Sequence, residues 1–74
     1  MRRVVFELLD KTFEEVLAYV RERNYTEAQM SDVMDTCTDL WWAYKDDIVY
    51  SEETIQNLKV LEGTLNNVYK VMDY

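Results

Sequence analysis

The sequence lacks histidine and proline, and its 74 residues include one glycine and one cysteine. Without histidine the chain has no ordinary general base near neutral pH and no imidazole metal ligand. A single glycine cannot build the usual glycine-rich loop that binds phosphate. We therefore expect a protein that is not an enzyme and that has no catalytic residues, no cofactor and no metal site.

The single cysteine, Cys37, has no partner for a disulfide. We expect it in the core, where neighbouring aspartates would raise the pKa of its thiol and make it less reactive. No apolar run approaches the about 20 residues of a membrane span, and Glu7 comes too early for a secretory signal. We therefore expect one domain, residues 1–74, in a reducing cytoplasm.

The composition nevertheless favours a folded chain, because 49% of the residues are hydrophobic and 14% are aromatic. A core of this size is marginal by itself, so tight helix packing or self-association must support it. The lack of proline and near lack of glycine favour long helices.

Two capping patterns divide the chain. Thr26 with Gln29 forms a potential capping box, and Ser51 precedes two glutamates that suit the first turn of a helix. These patterns predict helices at about 27–48 and 52–72. The last helix carries an apolar stripe with spacings of three and four: Leu58, Leu61, Leu65, Val68 and Met72. Gly63 lies on the other side of this helix and indicates a close helix crossing, a contact with a partner or simple tolerance of glycine.

The first segment has two interpretations. Val5, Leu9, Phe13, Val16 and Val20 predict one amphipathic helix at about 3–23. Thr12 could instead cap a shorter helix, with residues 2–9 as an extended arm. We expect an all-α fold, an antiparallel three-helix bundle, whose coiled-coil-like stripes would also allow a homodimer.

Negative charge is concentrated in the middle of the chain. Residues 25–50 carry six acids and one base, so they hold −5 of the net charge of −7. On a helix over 27–48, the apolar face would comprise Met30, Val33, Met34, Cys37, Leu40, Trp41, Tyr44 and Ile48. The opposite side would display Asp32, Asp35, Asp39 and Asp46, with Asp47 further round and Trp42 nearby.

This acidic and aromatic face predicts a protein-binding module that docks on a basic partner surface. The most concrete version is an inhibitor of a nucleic-acid-binding protein, because a carboxylate row can imitate part of a phosphate backbone. Small acidic proteins of viruses and mobile elements act in this way, a likeness of class and not of sequence motif. The alternative is a structural homo-oligomeric helical bundle, or a subunit of a larger assembly, whose acidic face only provides solubility. We expect no direct binding to nucleic acid or membrane.

Overall fold

The computed structural model describes residues 1–47 and 49–74, and these residues form four α-helices and no β-strand. The helices are α1 (Arg2–Leu8), α2 (Phe13–Glu22), α3 (Glu27–Tyr44) and α4 (Glu52–Val71). The predicted all-α class is confirmed. The predicted count of three is wrong, because the first predicted helix is divided into α1 and α2.

The division between α1 and α2 has a local cause. Leu9 leaves the helical region with a ψ of 141°, and Asp10 has a positive φ of 67°. Thr12 then starts a new helix: its hydroxyl accepts from the Glu15 amide at 3.2 Å, and its own amide donates to the Glu15 carboxylate at 3.1 Å. The capping box at Thr12 is therefore confirmed, but the alternative of an extended arm is wrong, because residues 2–8 are helical.

The predicted starts of the two long helices are confirmed. Thr26 accepts from the Gln29 amide at 3.1 Å, and the Gln29 side chain accepts from the Thr26 amide at 2.8 Å. The Ser51 hydroxyl accepts from the Thr54 amide at 3.2 Å. These contacts satisfy amide groups that have no partner within the first turn of a helix.

Helix α3 ends at Tyr44, earlier than the predicted residue 48. The next residues form a turn, in which the Asp47 amide donates to the Tyr44 carbonyl at 2.9 Å. A turn is required here because the chain must reverse before Ser51 caps α4. Ile48, which we expected on the apolar face, lies outside the described residues.

The long helices α3 and α4 pack as an antiparallel hairpin, with α1 against α3 and α2 against α4. Contacts at both ends set the direction of the first segment. The Arg2 guanidinium donates to the Tyr44 hydroxyl, and the Tyr74 hydroxyl donates to the Tyr25 carbonyl at 2.8 Å. Helices α1 and α2 therefore both run antiparallel to α3.

The core lies between the hairpin and the first segment. Buried apolar side chains come from all four helices: Val5, Leu8, Val16, Val20, Met30, Val33, Cys37, Leu40, Tyr44, Leu58, Leu61, Leu65 and Val68. The predicted apolar stripes of α3 and α4 thus face inward. Leu9 is only partly buried and Phe13 is exposed, since both flank the division between α1 and α2.

Candidate interaction surface on helix α3

Three aspartates and a tryptophan form a row along the outer side of α3. Asp32, Asp35, Asp39 and Trp42 are all exposed and follow one another at spacings of three, four and three residues. Residues at such spacings lie on one side of a helix. We call the row of Asp32, Asp35 and Asp39 the acidic stripe; Trp42 stands at its C-terminal end.

No ion pair within residues 1–47 and 49–74 involves the acidic stripe. The two pairs in this part of the chain are Arg3–Glu7 and Arg23–Glu22, both at 3.8 Å. Nearby hydroxyls also have other partners, since Thr36 donates to the Asp32 carbonyl at 2.7 Å and Thr38 to the Met34 carbonyl at 3.2 Å. The carboxylates of the stripe therefore present acceptors and negative charge to solvent.

Trp42 is exposed and yet held in place. Its side chain is 55% exposed, and its ring stacks on Trp41 with centroids 5.1 Å apart and planes at 25°. The Trp41 indole nitrogen in turn donates to the Glu62 carboxylate of α4 at 2.6 Å. Trp42 is thus a large apolar surface whose orientation is already restricted, which lowers the entropy lost on binding.

Two lysines lie over the tryptophan rings, a feature that we did not predict from the sequence. Lys45 Nζ lies 4.0 Å from the centroid of the Trp42 ring, and Lys59 Nζ lies 4.9 Å from that of Trp41. Both are cation–π contacts. The spacing of three between Trp42 and Lys45 could have indicated the first contact, but the second depends on how α3 and α4 pack. The outer side of α3 therefore changes from acidic at Asp32 to aromatic and basic at its C-terminal end.

A shallow groove adjoins this basic end. It has a volume of about 270 Å³ and is lined by Lys45, Glu52, Ile55, Gln56 and Lys59. Its lining mixes both signs of charge with one apolar side chain, so it adds little net charge to the end of α3.

Asp46 and Asp47 do not continue the acidic stripe. Both are exposed, but they follow the C-cap residue Lys45 and lie in the turn after α3. Asp47 also makes a hydrogen bond within this turn, because its Oδ1 accepts from the Val49 amide at 2.9 Å. Our prediction that Asp46 shares a helix face with the other aspartates is wrong, since it assumed four more helical residues.

Cys37 is in the core, as predicted. Its thiol is fully buried and donates to the Leu58 carbonyl at 3.2 Å. Burial, with a smaller contribution from the Glu62 carboxylate, raises the pKa of the Cys37 thiol to about 12. The predicted direction is thus confirmed, but burial rather than nearby aspartates is its main cause.

Residues 1–47 and 49–74 contain no group of three or more cysteine, aspartate or glutamate side chains placed to hold a metal ion. None of the helices in these ranges is long and apolar enough to cross a lipid bilayer.

Comparison with known proteins gives no classification beyond the all-α fold. No protein-family model matches the chain, and no curated protein or solved structure is significantly similar to it. The acidic stripe and Trp42 therefore carry the functional argument by their own geometry.

Proposed function

We propose that the protein is a small, non-catalytic binding module that docks the acidic stripe and Trp42 of α3 onto a basic surface of a partner protein. One observation carries the proposal. Three exposed carboxylates, outside every ion pair of the described residues, lie in a row that ends at an exposed and oriented indole.

The two parts of this surface would contribute differently to binding. The carboxylates attract a basic partner over long range and align it, so they act mainly on the association rate. Trp42 supplies apolar area that a partner can remove from water, and tryptophan is enriched among residues that dominate binding energy. A partner that covers Trp42 also displaces or accommodates Lys45, which lies over its ring.

The spacing of the stripe supports a more specific proposal, an inhibitor of a nucleic-acid-binding protein. With a rise of about 1.5 Å per residue, Asp32 and Asp35 are about 4.5 Å apart along the axis, and Asp35 and Asp39 about 6 Å. A rigid row of this kind can occupy part of a groove that otherwise binds phosphates. The partner would then bind either this protein or nucleic acid.

The experiment uses the immobilised full chain to capture proteins from a cell extract in low salt and in high salt. Captured proteins are identified, purified and measured individually for binding. The test variant is Asp32→Asn/Asp35→Asn/Asp39→Asn. The matched control is Asp10→Asn/Glu14→Gln/Glu22→Gln, which removes three exposed carboxylates from the first segment.

We expect the α3 variant to bind a genuine partner at least about 10-fold more weakly, and the control to bind it normally, because only α3 touches the partner. Salt should weaken the wild-type complex steeply. Duplex DNA should displace the chain from the partner if the inhibitor version is correct. Equal binding by the α3 variant and the wild type would show that the acidic stripe only provides solubility.

A structural homo-oligomer is the second candidate, and a different surface favours it. The outer face of α4 has few charges and includes Val60, which is 59% exposed. This face and the acidic stripe are separate, so self-association and partner binding can occur together.

A further inference from the structure

Helix α4 has a second stripe with the spacing of a helix-packing surface, and it faces solvent. Its members are all exposed and are separated by three, four, three, four and three residues: Glu53, Gln56, Val60, Gly63, Asn67 and Lys70. This is the spacing of the a and d positions in a two-helix contact. By helical geometry the row lies on the side of α4 opposite Leu58, Leu61 and Leu65. We call it the outer stripe.

The outer stripe is complementary to itself when it is read in the opposite direction. Residues at equal distances from its midpoint, between 61 and 62, form matched pairs. The pair at its ends is Glu53 and Lys70, which have opposite charges. Gln56 and Asn67 are both amides that can donate and accept, and Val60 is matched with Gly63.

We propose that the occupant of the outer stripe is a second copy of this chain, with the two α4 helices packed antiparallel about a two-fold axis. Such an interface uses the same patch on both copies, so every complementary pair occurs twice. The carboxylate of Glu53 meets the ammonium of Lys70 at both ends, and the amides of Gln56 and Asn67 meet between them. Val60 of each copy packs over Gly63 of the other.

Gly63 supports this arrangement because no contact within residues 1–47 and 49–74 requires a glycine there. Among the described residues, a Cβ atom added at Gly63 would meet nothing within 4 Å beyond its chain neighbours and the backbone of its own helix, and Gly63 does not have a positive φ. Glycine is among the poorest helix formers, so its position in the middle of α4 is unfavourable for a lone monomer. In the antiparallel pair it makes the space for Val60 of the second copy.

The size of the interface sets the expected affinity. A 20-residue helix is about 30 Å long, so one helix face per copy gives a contact below the about 1,600 Å² of a standard complex. The dimer is therefore reversible, and we expect a Kd in the micromolar range. Sedimentation equilibrium of the full chain, from about 5 μM to about 500 μM, covers this range.

Charge reversal gives a direct test. Glu53→Lys and Lys70→Glu each place like charges opposite one another twice, and each should weaken the dimer by about 10-fold or more. An equimolar mixture of the two variants should restore association, because one copy is then basic at both positions and the other acidic at both. The double variant Glu53→Lys/Lys70→Glu should dimerise about as well as the wild type.

The matched controls are Glu14→Lys and Arg21→Glu. They reverse exposed charges in the first and last turns of α2, so they change net charge and helix electrostatics in the same way. Neither should alter dimerisation by more than about 2-fold. Far-UV circular dichroism confirms that each variant is folded.

Gly63→Leu tests the centre of the interface. Gly63 is exposed and a Cβ atom there meets nothing within 4 Å beyond its own helix, so the variant should fold. It should abolish dimerisation because Val60 of the second copy needs the space that the leucine side chain fills. Three results would each overturn the proposal: a wild type that stays monomeric at about 500 μM, no recovery in the mixture, or a Gly63→Leu variant that dimerises normally.

Discussion

The outer faces of α3 and α4 differ although the two helices have matching positions in the fold. Both are long, both are capped by a side-chain hydroxyl, and each buries an apolar stripe against the other. The outer face of α3 carries three aspartates and an exposed tryptophan. That of α4 carries valine, glycine and amides between one acid and one base. Folding thus accounts for the inner faces, and we propose that the outer faces differ because each binds a different occupant.

Packing explains why only the outer faces are free to differ. A fully buried side chain contacts many neighbours, and deleting even a few of its atoms leaves a cavity. An exposed position usually tolerates substitution with little change in stability. Substitution of an inward residue should therefore change stability strongly, and substitution of an outward residue of the same helix should change it little.

The largest effect should come from the inner face of α4. Leu65 is 0% exposed, so Leu65→Ala should lower the free energy of unfolding by about 2–5 kcal/mol, enough to unfold much of so small a domain. Urea denaturation followed by circular dichroism measures this change. Val60→Ala on the outer face is the control and, at chain concentrations well below the dimer Kd, should change this free energy by less than about 0.5 kcal/mol. Similar losses of unfolding free energy in both variants would contradict the expectation that only the inner face of α4 determines stability.

An intermediate effect, for a rise of one pH unit, should come from the buried thiol on the inner face of α3. The Cys37 thiol has a native pKa of about 12, above its unfolded value of about 9, so the native state holds this proton longer. Its stabilising contribution is complete below pH 9 and falls by up to about 1.4 kcal/mol per pH unit as pH rises from 9 to 12.

The control for this pH dependence is Cys37→Ala. Several tyrosine pKa values are raised as well, so stability should still fall with pH in the variant, but less steeply by about one proton. Urea denaturation at a series of pH values measures both slopes. Identical slopes for the variant and the wild type would show that the thiol is not buried in solution.

The smallest effect should come from the outer face of α4. Gly63→Ala should raise the free energy of unfolding by about 0.5–1 kcal/mol, because alanine is the better helix former and its Cβ meets nothing within 4 Å. Urea denaturation at chain concentrations well below the dimer Kd keeps the protein monomeric. A loss of stability under these conditions would indicate a contact inside the chain at this position and would weaken the argument that Gly63 serves a second copy.

Local chemistry made much of the fold predictable. The starts of α3 and α4 follow from Thr26 with Gln29 and from Ser51, because a cap satisfies amide groups within a few residues of itself. The apolar stripes of these helices follow from their spacing. The exposure of the acidic stripe and of Trp42 follows from the same periodicity, since it places them away from the core.

Other features could not be predicted because the local signals conflicted or were incomplete. Between residues 3 and 23, a continuous apolar spacing favoured one helix, and a capping box at Thr12 favoured a new start. The structure combines both, because α1 packs on α3 and α2 on α4 and the chain bends at Asp10 to reach them. No glycine or proline marks the end of α3 at Tyr44. The sequence therefore predicted a longer helix that wrongly included Asp46.

The sequence by itself determined the helical class, the caps, and which side of each long helix is apolar, because these depend on interactions between residues a few positions apart. Only the tertiary structure decided where the first segment bends, where α3 ends, and that Lys59 of α4 lies over Trp41 of α3. These features depend on residues far apart in the chain, which come together only when the helices pack.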